Sequence, residues 1–187
     1  MTTGTSARPL FRDAGILLRT YGASLVANLP LLALMLIPQL MRSRAGSESL
    51  LAVGTILLLA LVIAAVVIAP EVSAAVAPQG AWRLGRARAA VRGLVRSRRR
   101  AFFGRLAEFA GLYVLSQVVG GLVAGRLPYI SDNPEFGVVP GAGRWVVDYP
   151  SFTVQAVSMY LVVCLATAWY GVRMRRLALD DAVSKPF

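Results

Sequence analysis

The sequence contains no histidine and only one cysteine, Cys164. Without an imidazole the chain cannot form a Ser-His-Asp hydrolytic site, and it lacks the His and paired Cys side chains that usually hold haem or zinc. A single cysteine also excludes an internal disulfide. The chain has no G-x-x-x-x-G-K-S/T run, which excludes a phosphate-binding loop of the ATPase type. We therefore expect neither a bound metal nor another cofactor.

Charge is scarce as well, because charged residues make up 16% of the 187 residues while apolar residues make up 57%. Soluble domains carry about 25% charged residues, so this chain has too little charge to cover a water-exposed surface. The charges are also unbalanced, with 20 basic and 9 acidic residues, and Lys185 is the only lysine. The abundance of Gly, Ala, Arg and Val points to a GC-rich bacterial genome.

Long apolar runs dominate what the sequence does contain. A helix that crosses a bilayer needs about 20 predominantly apolar residues. Four segments meet this length, at about 20–41, 49–71, 108–126 and 149–172. They predict an all-α integral membrane protein with a single membrane domain over residues 1–187. Its expected architecture is a bundle of about four transmembrane helices with one or two interfacial amphipathic helices.

Arginine is distributed unevenly between the segments that connect these runs. Residues 78–107 carry nine arginines and no acidic residue, whereas the loop 126–150 carries two arginines and three acidic residues. Positively charged loops remain on the cytoplasmic side of a membrane. The sequence therefore predicts a multi-pass protein of the bacterial plasma membrane with both termini in the cytoplasm. In this orientation residues 78–107 are a basic cytoplasmic segment and residues 126–150 are an outer loop.

Apolar residues also recur within the basic cytoplasmic segment. Leu84, Val91, Val95, Phe102 and Leu106 are spaced by seven and four residues, which predicts one helical face. In the functional interpretation, this segment docks on anionic lipid or on a cytoplasmic protein. In the alternative it only sets orientation, and nucleic acid is not expected as a partner. The residues expected to dock are Arg98, Arg99, Arg100, Trp82 and Phe102.

Three polar residues at or within the predicted spans are candidates for function. Glu71 follows Pro70 near the end of the second span, where it either pairs with an arginine of the basic segment or lies on a buried substrate path. Asn28, in the first span, can bridge two helices or satisfy a carbonyl group that Pro30 leaves free. Glu108 begins the third span and, in an enzyme, would supply acid-base chemistry together with Glu71.

Small residues in the third span are candidates for close helix packing. Ser116 and Gly120 are four residues apart, and so are Gly121 and Gly125. Small residues at this spacing let two helix backbones approach closely. The contact is either within the bundle or with another subunit.

Two flanking segments allow alternative interpretations. Ahead of the first span, a stripe of apolar residues at helical spacing predicts either an interfacial helix or a helical extension of the span. The outer loop is either a simple connector or a folded lid, and Trp145 and Tyr149 are expected to anchor it at the outer interface. The stripe comprises Leu10, Ala14, Leu17 and Tyr21.

These features leave two functions of different classes. The first is a small polytopic subunit of a larger membrane assembly, expected to be a transport or export complex. Its partners would be the lipid bilayer and other membrane or cytoplasmic subunits. The alternative is a membrane-embedded enzyme or enzyme subunit that acts on a lipid or a hydrophobic peptide. The absence of a clear catalytic constellation favours the first.

Overall fold

The computed structural model describes residues 8–184, with side chains described from residue 14 onward. Helix covers 77% of the described residues, which agrees with an all-α fold. A 3-10 turn at Ser43–Ala45 and a pair of short strands interrupt the helices. The helices are α1 (Arg8–Ala27), α2 (Leu29–Met35), α3 (Pro38–Met41), α4 (Glu48–Val76), α5 (Ala87–Ser97), α6 (Arg99–Arg126) and α7 (Tyr149–Val183).

Three of the described helices, α4, α6 and α7, are long and apolar enough to cross a membrane. The segments Ala14–Ala27 and Leu29–Met35 are together long and apolar enough to form one span, with a bend of 55° between them. Counting this bent pair as one span raises the number of candidate spans to four. The predicted spans at 49–71, 108–126 and 149–172 lie within α4, α6 and α7. Both α6 and α7 extend beyond those limits into arginine-containing segments, because arginine is a good helix former.

The first predicted span, residues 20–41, is wrong as a single helix. The helix that contains residue 20 ends at Ala27, and further helices begin at Leu29 and Pro38. Proline has no N–H to donate within a helix and disfavours helical backbone at the residue before it. Ile37, just before Pro38, is accordingly extended, with φ −102° and ψ 96°. Two prolines thus divide this run into three short helices.

Upstream of residue 20 the backbone is helical without a break from Arg8. The apolar stripe ahead of the first span therefore lies on the same helix, which agrees with the helical extension. The side chain of Leu10 lies outside the described ones.

The predicted single face through the basic segment is also wrong, because the segment forms two helices and a turn. Leu84 precedes α5 and is exposed, and Arg98 breaks the helix with φ −131° and ψ 49°. Phe102 belongs to the next helix, α6. The face that α5 turns away from solvent, at spacings of three and four, comprises Ala87, Ala90, Val91, Leu94 and Val95.

The described residues divide into two compact units by their contacts. We call residues 8–27, 65–111 and 164–184 the basic unit, because it contains the arginine-rich segment, and residues 28–64 and 112–163 the hairpin unit. The core of the basic unit combines large buried side chains, among them Trp82, Tyr170 and Met174, with small side chains of α1, α4 and α7. The thiol of Cys164 lies in this core and donates to the carbonyl of Ser24 at 3.6 Å. Its small core residues are Thr20, Ser24, Ala65, Ala69, Ser73, Cys164, Thr167 and Ala168.

The hairpin unit takes its name from the outer loop, which forms a β-hairpin. Strands β1 (Ile130–Asp132) and β2 (Trp145–Val147) pair antiparallel, with Ser131 opposite Val146. The guanidinium groups of Arg44 and Arg144 lie 4.7 Å and 5.0 Å from the ring centre of Trp145. The loop is therefore folded, and Trp145 is held between two cations.

Candidate functional site

Glu71 joins the end of α4 to the start of α5. Its two carboxylate oxygens accept hydrogen bonds from the backbone N–H of Gly85 at 2.7 Å and of Arg88 at 3.1 Å. Gly85 has φ +79°, a conformation that glycine adopts without strain. The Arg88 guanidinium lies 4.0 Å away, so the predicted pairing with an arginine of the basic segment is present. Glu71 thus caps the N-terminus of α5 from another helix.

Trp82 is buried in the basic unit, with 1% of its surface exposed. Its indole N–H donates to Ser73 Oγ at 3.0 Å, and that hydroxyl lies 3.1 Å from the carbonyl oxygen of Gly171. The prediction that Trp82 docks on lipid or a partner is therefore wrong. A buried Tyr or Trp needs a partner for its polar atom, and Ser73 supplies one. Phe102, also expected to dock, is half-buried.

Arg98, the third residue expected to dock, is engaged within the basic unit. Its Nε donates to Asp181 Oδ1 at 3.0 Å and its Nη2 donates to Ser184 Oγ at 2.9 Å. Asp181 lies on the C-terminal helix, 83 residues from Arg98, so the local charge pattern does not indicate this pairing. Arg99 and Arg100 are exposed, and the Arg99 guanidinium lies 5.7 Å from the ring centre of Phe103.

Glu108 forms an ionic cluster between α6 and α7. Arg173 approaches both carboxylate oxygens at 3.3 Å, and the Trp169 indole N–H donates to Oε2 at 3.0 Å. Arg105, one turn earlier on α6, also contacts Oε1. A carboxylate with two guanidinium partners and an indole donor is stabilised in its ionised form. This arrangement suits a structural link between helices better than a general acid.

Arg175 is a buried, hydrogen-bonded arginine that the sequence pattern does not single out. Only 7% of its surface is exposed. Its Nε donates to the carbonyl of Ala77 at 3.0 Å, and its Nη2 donates to Gln79 Oε1 at 2.6 Å. The chain turns out of α4 at these two acceptors, so the guanidinium fixes the turn. Arg175 follows the last apolar run together with Arg173 and Arg176, and such a group of arginines indicates an exposed segment, not a buried one.

Asn28 is buried at the break between α1 and α2. Its carbonyl oxygen accepts N–H groups from Leu31 at 2.9 Å and from Leu32 at 3.3 Å. The side chain makes no capping hydrogen bond to the start of α2. The residue therefore lies at a break in the first predicted span, two residues before Pro30.

The small residues predicted for α6 separate into two pairs. Ser116 and Gly120 are buried, and a Cβ atom at Gly120 would collide with the side chain of Met159. The Gly120 carbonyl also accepts from Gln155 Nε2 at 3.0 Å. Gly121 and Gly125 are exposed, and an added Cβ atom would meet nothing within 4 Å. Packing inside the hairpin unit thus explains only the first pair.

Gly121 and Gly125 belong to a longer exposed series on α6. The spacing between its members alternates between three and four residues, which places them along one side of the helix. Every member is Gly or Val, and every member is exposed. We call this series the small-residue face. Its members within the hairpin unit are Val114, Val118, Gly121 and Gly125.

A close helix approach in the basic unit lies between α4 and α7. A Cβ atom at Gly171 would lie 2.7 Å from the carbonyl oxygen of Ala69 and 3.1 Å from Ser73 Cβ. Ala65, Ala69 and Ser73 are four residues apart and fully buried. The spacing of these small residues in α4 thus also indicates close helix packing.

Within the described residues, no group of three or more His, Cys, Asp or Glu side chains could hold a metal ion. Comparison with protein-family models, with curated proteins and with solved structures finds no match for this chain.

Proposed function

We propose that this chain is a multi-pass protein of the bacterial plasma membrane and a small subunit of a larger membrane assembly, of the transport or export class. Both termini lie in the cytoplasm, and the bent pair α1–α2 is the first of four spans. The three long apolar helices and the bent pair support insertion. The nine arginines of residues 78–107 support the orientation.

The small-residue face of α6 is the main support for the proposal that the chain is a subunit of a larger membrane assembly. Of the most apolar stretch of α6, only 17% of the residues are buried. Val114 and Val118 are 60% and 51% exposed, and the neighbouring glycines face open space. Helices associate in a membrane through small residues, because these let the backbones approach and gain van der Waals contact. The face therefore suits a helix of another membrane subunit.

The two acidic candidates give the enzyme alternative no support. Glu71 accepts two backbone N–H groups, and Glu108 is engaged by Arg105 and Arg173. Neither carboxylate is in a position to exchange a proton with a substrate without losing these bonds. The chain also lacks a phosphate-binding loop, so a partner would supply ATP hydrolysis to any ATP-driven step.

The test is co-purification in a mild detergent, comparing the wild type with Gly121→Leu and Gly125→Leu. Because both positions are open, leucine should not disturb the chain itself, and replacing glycine within a helix favours the helix by about 1 kcal/mol. We expect the co-purifying subunit to be reduced at least tenfold while the thermal midpoint of the chain is unchanged or higher.

Ala60→Leu is the matched control, because Ala60 is exposed on α4, another membrane-type helix. This variant should keep the wild-type partner. If both glycine variants retain the same partner set as the wild type, the small-residue face contacts lipid and the proposed assembly is wrong.

A further inference from the structure

An apolar groove of about 320 Å³ lies within the basic unit, between α4 and α5. Its wall on α4 is formed by Val66, Val67 and Pro70, and Val91 faces them from α5. Phe102 and Tyr170 contribute from α6 and α7. A volume of this order is at the lower end of the range of about 300–1,000 Å³ that is typical of ligand pockets.

The groove persists because α5 is attached to α4 at its N-terminus while the facing side chains are short. Glu71 caps α5 through the N–H groups of Gly85 and Arg88, and Trp82 is anchored on Ser73. Beyond these attachments, valines of α4 and α5 face each other without filling the space. Val67 remains 49% exposed as a result.

Two arginines of α5 complete the lining, Arg88 and Arg92. Arg88 is 4.0 Å from Glu71, and its side chain is 55% exposed. Arg92 is exposed, and its guanidinium group makes no hydrogen bond or ion pair with any other described residue. Glu71 pairs with Arg88 but not with Arg92, and the groove lining holds two guanidinium groups beside an apolar wall, so its net charge is positive.

We propose that this groove binds one molecule of anionic phospholipid, with an acyl chain against the valine wall and the phosphate against Arg88 and Arg92. Guanidinium groups recognise phosphate oxygens through charge-assisted hydrogen bonds, and basic pockets between membrane helices on the cytoplasmic side bind lipid headgroups. A zwitterionic lipid carries the same phosphate, but its headgroup cation offsets that charge, so it would be held less strongly by the two arginines. The proposal requires the membrane location proposed above, but it is independent of the small-residue face.

The test is native mass spectrometry of the detergent-solubilised full chain with two lipids that share the same dioleoyl chains. Phosphatidylglycerol should bind one to one and more tightly than phosphatidylcholine. Arg92→Gln should weaken phosphatidylglycerol binding about fivefold, the loss expected for one arginine near a charged lipid. Phosphatidylcholine binding should fall by a smaller factor, because its headgroup cation already offsets the charge of the phosphate.

Arg96→Gln is the matched control, because Arg96 lies one turn further along α5, is exposed and does not line the groove. It should leave both lipids bound as in the wild type. Val91→Trp, which fills the groove, should weaken both lipids. sn-Glycerol 3-phosphate should bind at least tenfold more weakly than phosphatidylglycerol, because it lacks acyl chains.

Equal losses for Arg92→Gln and Arg96→Gln would mean that charge acts without a defined site, and would overturn the proposal. So would wild-type binding in Val91→Trp, or glycerol phosphate binding as tightly as the lipid. Gly121→Leu should bind phosphatidylglycerol normally. Failure of the lipid site can thus be told apart from failure of the proposed assembly.

Discussion

At the scale of single residues, the close contact between α4 and α7 in the basic unit depends on a glycine and on small side chains. Gly171 on α7 and Ala69 on α4 lie so close that only a hydrogen atom fits between the helix backbones at that point. Ser73, one turn from Ala69, takes the indole N–H of Trp82. The same few residues therefore set the distance between two helices and hold the segment that leads to α5.

Gly171→Ala should destabilise the chain, although alanine favours helix. The added methyl group would lie 2.7 Å from a backbone oxygen that cannot move without shifting α4. Overpacking of this kind costs about 1–3 kcal/mol, which exceeds the gain of about 1 kcal/mol from helix propensity. We expect a lower thermal midpoint in detergent, measured by intrinsic fluorescence or circular dichroism.

Gly93→Ala is the control for this prediction, because Gly93 is exposed on α5 and has nothing within 4 Å of an added Cβ atom. Its thermal midpoint should stay at or above that of the wild type. A Gly171→Ala variant as stable as Gly93→Ala would mean that α4 and α7 do not approach closely at this point.

At the scale of elements, the amphipathic helix α5 is short and depends on Glu71 for its start. No side chain of its own caps its N-terminus. The Glu71 carboxylate supplies two acceptors, and hydrogen bonds to charged groups contribute about 1.5–3 kcal/mol each. Because Glu71 lies near the end of α4, this carboxylate fixes the start of α5 next to the end of α4.

Glu71→Ala should loosen α5 while leaving the long helices intact. Loss of the acceptors lowers the free energy of local opening, so trypsin should cleave after the arginines at 83–96 at least five times faster. Limited proteolysis with peptide mapping measures this rate. Glu135→Ala, an exposed loop residue, should leave the cleavage pattern unchanged. Unaltered cleavage in the Glu71 variant would rule out the capping role.

At the scale of the whole molecule, the distribution of arginine predicts an orientation of the chain in the membrane, and this orientation can be measured. Cys164 is fully buried, so a Cys164→Ala background permits labelling of single cysteines placed elsewhere. Ser131 in the hairpin and Ala89 on α5 are both exposed, which makes reagent access depend on the side of the membrane.

An impermeant thiol reagent added to intact cells should label Ser131→Cys and not Ala89→Cys. After the cells are opened, both should react. The physical reason for this expectation is that positively charged loops stay on the cytoplasmic side, and residues 78–107 carry nine arginines. Labelling of Ala89→Cys alone in intact cells would invert the proposed orientation.

The sequence predicted the long helices well, because a run of about 20 apolar residues is a local property. It also identified Ser116 and Gly120 as packing residues and Glu71 as a partner for an arginine. It failed for Trp82 and Arg98. Their burial and pairing depend on Ser73 and Asp181, which lie on other helices and carry no local mark.

The sequence by itself determined the helical class, three long apolar helices and the uneven placement of arginine, since each follows from composition within one segment. Tertiary structure alone decided which small residues meet another helix and which stay open. Gly120 and Gly121 are neighbours, yet an added Cβ collides with Met159 at one and meets nothing at the other. The reason is that adjacent residues on a helix point about 100° apart. Only the position of the packed neighbours decides which direction is filled.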